Sequence, residues 1–243
     1  MLSILPTPVG HRDDITVRSL HLITEATHIF CEQIDTTKKL LQLHQIVYHN
    51  KKFVIFNSFI DEEAMDVLAP VLMTHEVVLM SECGTPGLSD PAKSLIKYCR
   101  EHDIKFQVLP GATALIPAVV SAYTDTSSFT FLGFLPKKKG RAAIIQSIMA
   151  SQIPVFIYES VHRISQTLLE FQKNGFVWQV FVSREISKLF EQHVHGTIEE
   201  LLLMIWDHRL TLKGEFVLGF KSVITKPSSQ KYPQAPKDLS LLE

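Results

Sequence analysis

Short apolar runs alternate with stretches of helical periodicity through the first half of the chain, and this alternation constrains the fold most strongly. Five runs are apolar enough to be predicted as buried strands: 2–5, 28–31, 53–56, 77–80 and 106–109. The segments after Asp14 and Asp61 and the segment 92–100 have the spacing of amphipathic helices, which Asp14 and Asp61 are placed to cap. Strands that are apolar on both faces belong to parallel sheets covered by helices on both sides. The pattern therefore predicts an α/β fold with a mainly parallel sheet.

The polar segment 123–128 (YTDTSS) marks a change in the chain, and we predict a domain boundary there. Beyond it, strands are predicted at 129–132, 155–158, 177–182 and 215–220, and helices at 141–150, 164–173 and 198–206. The residues from 226 onward are rich in Pro, Ser, Gln and Lys, a composition typical of loose order. The predicted organisation is a first domain of residues 1–122, a second of 123–225, and a loosely ordered tail of 226–243.

Composition excludes several classes of protein. The 24 basic and 25 acidic side chains give a formal charge of −1, which argues against a surface generally adapted to nucleic acid. The three cysteines form no Cys-x-x-Cys pair, which disfavours a disulfide framework or a thiolate zinc site. The first residues lack the pattern of a signal peptide, and no apolar run approaches the ~20 residues of a membrane span. We therefore expect a soluble, cytoplasmic protein.

Strand-breaking residues follow three of the predicted strands, at 7–10 (TPVG), 84–87 (GTPG) and 110–111 (PG). Ligands of open α/β sheets bind beyond the carboxyl ends of strands, so we predict that these loops converge. In 81–91 (SECGTPGLSDP), Ser89 or Asp90 can cap a helix that begins near Pro91. The residues alone leave open whether GTPG is a structural turn or a ligand loop. Without a dinucleotide or P-loop glycine motif, a ligand here would be held mainly by backbone groups.

Polar clusters follow or precede the predicted strands of the second half, at 158–163 (YESVHR), 184–191 (REISKLFE) and 213–215 (KGE). They are either surface ion pairs or parts of a site. In a site, Arg163, Arg184 and Lys188 would bind phosphate, while Glu159, Glu185 or Lys188 would transfer a proton.

The basic run 137–141 (KKKGR) favours RNA contact by Lys137, Lys138 and Arg141. His193 and His195 lack a third ligand for a metal. Ser160 and His162 occur without a nucleophile elbow, which disfavours a hydrolase.

Several segments together resemble one family in their order along the chain. They are TPVG (7–10) with DDIT (13–16), SECGTPGLSDP (81–91), LPG (109–111), FLPKKKGR (134–141), YESVHR (158–163), REISKLFE (184–191), HGT (195–197) and KGEFVL (213–218). This set resembles the tetrapyrrole-methylase superfamily over nearly the whole chain. Within it, the chain looks most similar to the branch that methylates the ribose 2′-oxygen of a cytidine in small-subunit ribosomal RNA.

The resemblance implies a class III S-adenosylmethionine methyltransferase of two α/β domains, with a mixed sheet in the second, and a homodimer that acts on the small ribosomal subunit. S-adenosylmethionine would lie in the cleft between the domains. By matching position, the cofactor residues would be Pro8, Gly10, Ser81, Glu82, Gly84, Thr85, Gly87, Leu88, Ser89, Asp90, Pro110, Gly111 and Thr113. Glu159, Glu185 and Lys188 would be catalytic, and Lys137, Lys138, Arg141, Arg163 and Arg184 would bind RNA.

The chain departs from the family pattern at Glu82, at Cys83 and in the segment 32–37 (EQIDTT), where an Arg and a His are usual. Two alternatives therefore stay open beside the RNA methyltransferase. One keeps the methyl transfer but takes a porphyrinoid as substrate. The other is a protein that binds the cofactor and RNA without catalysing a reaction.

Overall fold

The computed structural model describes residues 1–57, 60–122 and 127–221. The predicted tail at 226–243 and most of the predicted boundary segment lie outside these residues. The strands of the first half are β1 (Leu2–Leu5), β2 (His28–Cys31), β3 (Lys52–Ile55), β4 (Val77–Met80) and β5 (Phe106–Val108). Its helices are α1 (Val17–Glu25), α2 (Ile34–Leu43), α3 (Glu62–Thr74), α4 (Ala92–Glu101) and α5 (Leu115–Ser121).

The first sheet has the strand order β3-β2-β4-β1-β5, and every neighbouring pair is parallel. Every residue of β1, β2 and β4 is buried. Alternate side chains point to opposite faces, so burial of both sets requires a helical layer on each side. Separate apolar clusters around Phe30 and around Ile29 fill these two layers. The predicted parallel sheet is confirmed.

The second half forms a mixed sheet, as the resemblance implied. Its strands are β6 (Thr130–Phe134), β7 (Val155–Ser160), β8 (Val180–Arg184), β9 (Gln192–Gly196) and β10 (Glu215–Phe220). Its helices are α6 (Arg141–Met149), α7 (Ile164–Lys173) and α8 (Ile198–Trp206). The strand order is β6-β7-β10-β8-β9, in which β6 and β7 are parallel and the other pairs antiparallel.

Local sequence signals failed at three helices. Thr16, not Asp14, caps α1, because the Thr16 hydroxyl accepts a hydrogen bond from the Ser19 N–H at 3.1 Å. Helix α2 was not predicted, and its N-cap residue, Gln33, makes no side-chain cap. Helix α5 was not predicted either, since it is only seven residues long and contains Pro117. Tertiary packing stabilises such short helices more than propensity does.

Helix α5 precedes the predicted boundary, yet it packs on β8 and β10 of the second sheet. One apolar cluster accordingly joins Val9 and Leu115 to Phe156, Ile186 and Val217. This cluster brings the loop after β1 against the second sheet. The division into two domains at 122 stays a prediction. In the described part of the chain, no helix combines the length and apolar character needed to cross a membrane.

Candidate active site in the cleft between the sheets

The three loops rich in strand-breaking residues meet at the carboxyl edge of the first sheet. Thr7 and Gly84 exchange two backbone hydrogen bonds, with N···O distances of 2.9 and 3.0 Å. The Thr85 hydroxyl donates to the Ala112 carbonyl at 2.9 Å, which joins the loop after β4 to the loop after β5. The predicted convergence of these loops is confirmed.

The strand order explains why a cleft opens at this edge. Strands β1 and β4 are neighbours, but the chain leaves β1 toward β2 and leaves β4 in the other direction toward β5. Connections that leave adjacent parallel strands in opposite directions run over opposite faces of the sheet and leave a crevice between the strand ends, where ligands of such sheets bind. The paired Thr7 and Gly84 lie directly beyond these strand ends.

A cleft of about 390 Å³ extends from this edge to the second sheet, within the size range of small-molecule sites. It is lined by Val9, Cys83, Gly84, Thr85, Leu88, Ser89, Asp90, Ala114, Phe134, Tyr158, Glu159, Ser160, Val161, His162, Ile186, Gly214, Glu215, Phe216 and Val217. Loops of the first sheet form one wall, and the ends of β6, β7 and β10 with Ile186 form the other.

Five of the predicted cofactor residues line this cleft: Gly84, Thr85, Leu88, Ser89 and Asp90. The others lie outside its lining: Pro8, Gly10, Ser81, Glu82, Gly87, Pro110, Gly111 and Thr113. Their predicted contact with a cofactor stays a prediction, and the structure gives several of them a second role.

Close contacts within the protein leave little room for a side chain at Gly10 or at Gly87. A Cβ at Gly10 would approach the Ser187 backbone to 2.5 Å, so its absence lets the loop after β1 meet the loop after β8. Gly87 has φ +90°, and a Cβ there would lie 2.8 Å from Ile96 Cδ1. Ser81 is likewise committed, because its hydroxyl donates to the Gly84 carbonyl at 2.8 Å.

Asp90, rather than Ser89, organises the end of the loop 81–91. Its Oδ1 accepts from the N–H of Gly87 at 2.7 Å and from the N–H of Ala92 at 2.9 Å. Burial raises the pKa of Asp90 in spite of these two bonds. Burial, followed by the charges of Asp90 and Glu82, also raises the pKa of Glu32. The loop wall thus holds the carboxylate of Asp90 at an electrostatic cost.

Glu159 lies in the other wall and is buried, with its acceptor sites occupied. Its Oε1 accepts from the Ser160 N–H at 2.8 Å and from Arg163 Nε at 2.6 Å. Its Oε2 accepts from the Thr167 hydroxyl at 2.7 Å. A carboxylate held by three donors is poorly placed to take a proton from a substrate. Glu159 is therefore better explained as the anchor of Arg163 than as a catalytic base.

Lys188 lies between two carboxylates in the loop after β8. Its Nζ donates to Glu185 Oε1 at 2.9 Å and to Glu215 Oε2 at 2.8 Å. Burial alone would lower the pKa of Lys188, but the bonds to Glu215 and Glu185 outweigh it, and the pKa is raised. The predicted catalytic residues Glu185 and Lys188 thus form one ion pair, with Lys188 protonated at neutral pH.

Two predicted RNA-binding residues are buried, and the structure argues against that role for both. Arg141 donates to Glu170 Oε2 at 2.7 Å and to Thr167 at 2.8 Å. Arg184 donates to the carbonyl oxygens of Lys213 at 2.6 Å and Phe190 at 3.0 Å. Guanidinium groups buried against such acceptors hold the fold together, and phosphate contact would require breaking those bonds.

The other three predicted RNA-binding residues differ in exposure. Arg163 donates from Nη2 to the Leu135 carbonyl at 2.9 Å and is also bound to Glu159, which leaves little of its guanidinium for phosphate. Lys137 and Lys138 are exposed, and they follow β6 directly, close in sequence to Phe134 of the cleft lining. Phosphate contact by Lys137 and Lys138 stays a prediction.

Sequence reasoning missed several residues of the lining, among them Phe134, Tyr158, His162 and Glu215. All four fall inside segments noted above as polar or family-like. Nothing in the sequence favoured these four residues over their neighbours. What selects them is the sheet order, because adjacent β7 and β10 bring Ser160 opposite Glu215. Among the described residues, no cluster of three metal-binding side chains occurs.

Cys83, a departure from the family pattern, lies in the cleft wall. Its thiol donates weakly to the Val9 carbonyl at 3.7 Å. Loss of solvation, followed by the charge of Glu215, raises the pKa of Cys83 to about 11, so the thiol is protonated and a weak nucleophile. Cys83 of the loop wall and Glu215 of the second wall line the same cleft.

Comparisons with known proteins agree with this arrangement. The chain is 33% identical over 236 residues to Ribosomal RNA small subunit methyltransferase I of Helicobacter pylori strain J99, covering 90% of this chain and 81% of that protein. It is 33% identical over 239 residues to the protein of that name from Mycoplasma pneumoniae, covering 97% and 85% of the two chains.

Solved structures match at the level of the fold. A diphthine synthase superposes with a TM-score of 0.72 at 12% identity, covering 91% of this chain and 89% of that one. Uroporphyrin III C-methyl transferase from Thermus thermophilus superposes with a TM-score of 0.63 at 16% identity, covering 90% and 96%. The family model of the Tetrapyrrole (Corrin/Porphyrin) Methylases matches residues 1–202. The chain belongs to the tetrapyrrole (corrin/porphyrin) methylase family.

Proposed function

We propose that this protein is an S-adenosylmethionine-dependent methyltransferase of small-subunit ribosomal RNA, and that its target is the ribose 2′-hydroxyl of a cytidine. The observation that carries the proposal is the cleft at the β1–β4 crevice, in a chain that belongs to a methylase family. Relatives that align with about nine-tenths of this chain are named for methylation of that RNA. The 2′-oxygen and the cytidine come from the motif resemblance.

The cleft suits the cofactor by its chemistry. The loop wall offers main-chain groups at Gly84 and Thr85 and side-chain oxygens at Ser89 and Asp90, which fit the polar amino-acid and ribose parts. Apolar lining at Val9 and Ala114 suits an adenine ring. A related solved structure, with a TM-score of 0.61 at 15% identity, is a uroporphyrin-III C-methyl transferase complexed with S-adenyl homocysteine. S-adenosylmethionine would supply an electrophilic methyl group here.

The residues of the chain then have two tasks. The first is to hold the hydroxyl in line with the methyl group at near-attack distance, which can supply much of the rate enhancement. The second is to manage charge, since a ribose hydroxyl is a poor nucleophile at neutral pH. Lys188 is protonated and hydrogen-bonded to Glu215 of the second wall, so that a paired positive and negative charge stands at this side of the cleft.

The exposed Lys137 and Lys138 support RNA over a porphyrinoid as substrate. They follow β6 at the side of the cleft lined by Phe134, where a phosphate backbone would pass. The named relatives point the same way, whereas the porphyrin enzymes match at the level of the fold. A homodimer and a cytoplasmic location belong to the same proposal. Light scattering tests the homodimer, for which we expect a mass about twice 27.5 kDa.

Methyl transfer with labelled cofactor tests the function. Small ribosomal subunits that lack the modification are incubated with the protein, and label is expected in the RNA. Alkaline hydrolysis then locates it, because a 2′-O-methyl group prevents cleavage of the adjoining phosphodiester and leaves a labelled dinucleotide. Label in a mononucleotide would contradict ribose methylation, and label in a porphyrinoid instead of RNA would reverse the choice of substrate.

A comparison of cofactor binding with turnover distinguishes the proposed methyltransferase from a catalytically silent protein. Calorimetry with S-adenosylmethionine and S-adenosylhomocysteine is expected to show binding, and the transfer assay is expected to show turnover. Tight binding without transfer to RNA or to a porphyrinoid would favour the silent protein. Absence of cofactor binding would contradict the proposed function as a whole.

A further inference from the structure

Glu159 and Glu215 line the second wall, and Glu185 lies beside it, bonded to Lys188. The structure separates these three glutamates by accessibility. Glu159 is buried and bound by three donors, as described above. Glu185 has 16% of its side chain exposed, whereas Glu215 has 68% exposed. Of Glu185 and Glu215, Glu215 is the one that lines the cleft.

Glu185 is fixed in place from several sides. Its backbone has φ +52°, a left-handed conformation uncommon for a residue with a side chain. Its Oε1 accepts from Lys188 Nζ at 2.9 Å and from the Glu215 N–H at 3.0 Å. A Cβ at Gly214 would overlap the carboxyl group of Glu185, so the Glu185 carboxyl group packs directly against the backbone of this glycine. These contacts commit Glu185 to holding Lys188 and the start of β10.

The Glu215 carboxylate is held by one hydrogen bond and is still accessible to solvent. Its Oε2 accepts from Lys188 Nζ at 2.8 Å, which orients the carboxylate. Its Oε1 accepts no hydrogen bond from the residues that the structure describes. Glu215 begins β10 directly opposite Ser160 of β7, so the carboxylate stands at the end of the sheet that faces the loop wall.

Four groups that face Glu215 from neighbouring elements, Lys188, Glu185, Tyr158 and Cys83, are poor proton acceptors. Lys188 is protonated, and Glu185 is bound to it. From β7, Tyr158 has a pKa raised mainly by burial, so it is neutral and protonated. From the loop after β4, Cys83 is protonated as well, with a pKa of about 11.

We propose that Glu215 is the catalytic residue that accepts the proton of the attacking ribose hydroxyl, and that Lys188 is its positioning residue. This inference rests on the proposed function and deepens it. In the step, the bond from the ribose oxygen to the methyl carbon forms while the bond from sulfur to that carbon breaks. The sulfonium becomes a neutral thioether, and the hydroxyl proton passes to Glu215 Oε1. Solvent access then lets Glu215 lose the proton.

Glu215→Gln tests the role, because the amide keeps the size and the hydrogen bond from Lys188 but accepts protons poorly. We expect a single-turnover rate of methyl transfer about 100-fold lower, the size typical of general base catalysis. The cofactor Kd and the KM for the ribosomal subunit are expected to stay unchanged. Glu199→Gln, an exposed change in the first turn of α8 outside the cleft lining, is the matched control and should keep the parental rate.

Glu215→Asp distinguishes proton transfer from a structural role. The shorter carboxylate should recover part of the rate lost in Glu215→Gln, while a residue needed only for shape would lose as much in both variants. A parental rate in Glu215→Gln, or equal losses in the two variants, would overturn the role of Glu215 alone. If the parent protein bound the cofactor but methylated no RNA, the proposed function would fall, and the role of Glu215 with it.

Discussion

The two walls of the cleft consist of different structural elements. The wall from the first sheet consists of turns rich in Gly and Pro, held together by backbone bonds such as the pair between Thr7 and Gly84. The wall from the second sheet consists of strand ends with charged side chains, of which Glu159 and Glu215 are hydrogen-bonded to basic partners. The first wall is shaped to hold a ligand through main-chain groups, whereas the second wall concentrates charge.

Burial makes a second distinction within the charged wall. Glu159 and Glu215 stand on neighbouring strands, and residues 159 and 216 are paired across them. The Glu159 side chain is 0% exposed and serves the fold, whereas the Glu215 side chain is 68% exposed and accessible. Similar side chains at adjacent strand ends thus differ in accessibility because of their depth.

Replacing Glu159 is expected to have the largest effect on stability. Glu159→Ala leaves Arg163, Thr167 and the Ser160 N–H without their shared acceptor, a loss of about 3–5 kcal/mol in the free energy of unfolding. Glu215→Ala removes an exposed ion pair and should cost less than about 1 kcal/mol. Urea unfolding of both variants measures the difference. Equal losses would break the distinction between a structural and an accessible carboxylate.

Gly10→Ala tests the contact between the two walls. Its Cβ would meet the Ser187 backbone at 2.5 Å, so we expect a loss of about 1–3 kcal/mol from overpacking, together with weaker cofactor binding. Gly175→Ala is the control, since Gly175 has φ +82° with open space around it and should cost about 1 kcal/mol without changing affinity. An unchanged cofactor Kd in Gly10→Ala would show that the contact does not shape the cleft.

The smallest expected effect is a pH dependence at Glu185. Burial alone would raise the pKa of Glu185, but the bonds from Lys188 and from the Glu215 N–H outweigh it, and the pKa falls below the usual 4.5. The folded state therefore favours the ionised carboxylate, and this contribution is complete above pH 4.5 and lost as the pH falls through the lowered pKa. Glu185→Gln should be less stable than the parent at pH 7 by about 1 kcal/mol.

Unfolding measured between pH 7 and pH 3 checks this sign. The stability difference between parent and Glu185→Gln should shrink as the pH falls below 4.5. A difference that grows in acid would contradict the lowered pKa. Asp90 of the loop wall has a raised pKa, so it changes stability in the opposite sense to Glu185.

Much of the fold was accessible from the sequence, because its signals are local. The predicted bounds of β1, β2 and β4 are the same as the observed bounds. The convergence of the three loops followed from the rule for parallel sheets, and the family from motifs in order. Helix α5 was beyond such reasoning, since its stability comes from packing on β8 and β10.

The charged residues show what sequence reasoning could not supply. Arg141 and Arg184 carry the chemistry of phosphate ligands, but burial commits their guanidinium groups to Glu170 and to backbone carbonyls. Glu215 was passed over beside Glu159 and Glu185, although all three lie in family-like segments. The sequence states which groups are present but gives no measure of their depth or their partners.

The sequence by itself determined the alternation of strands and helices, the loops that form one wall, and the family. These features depend on residue size, backbone freedom and periodicity, which each segment carries locally. Only the tertiary structure decided which glycines make room for a neighbouring loop and which carboxylate of the cleft lining stays exposed. Solvation and hydrogen bonding control the protonation and access of a charged group, and both depend on residues distant in sequence.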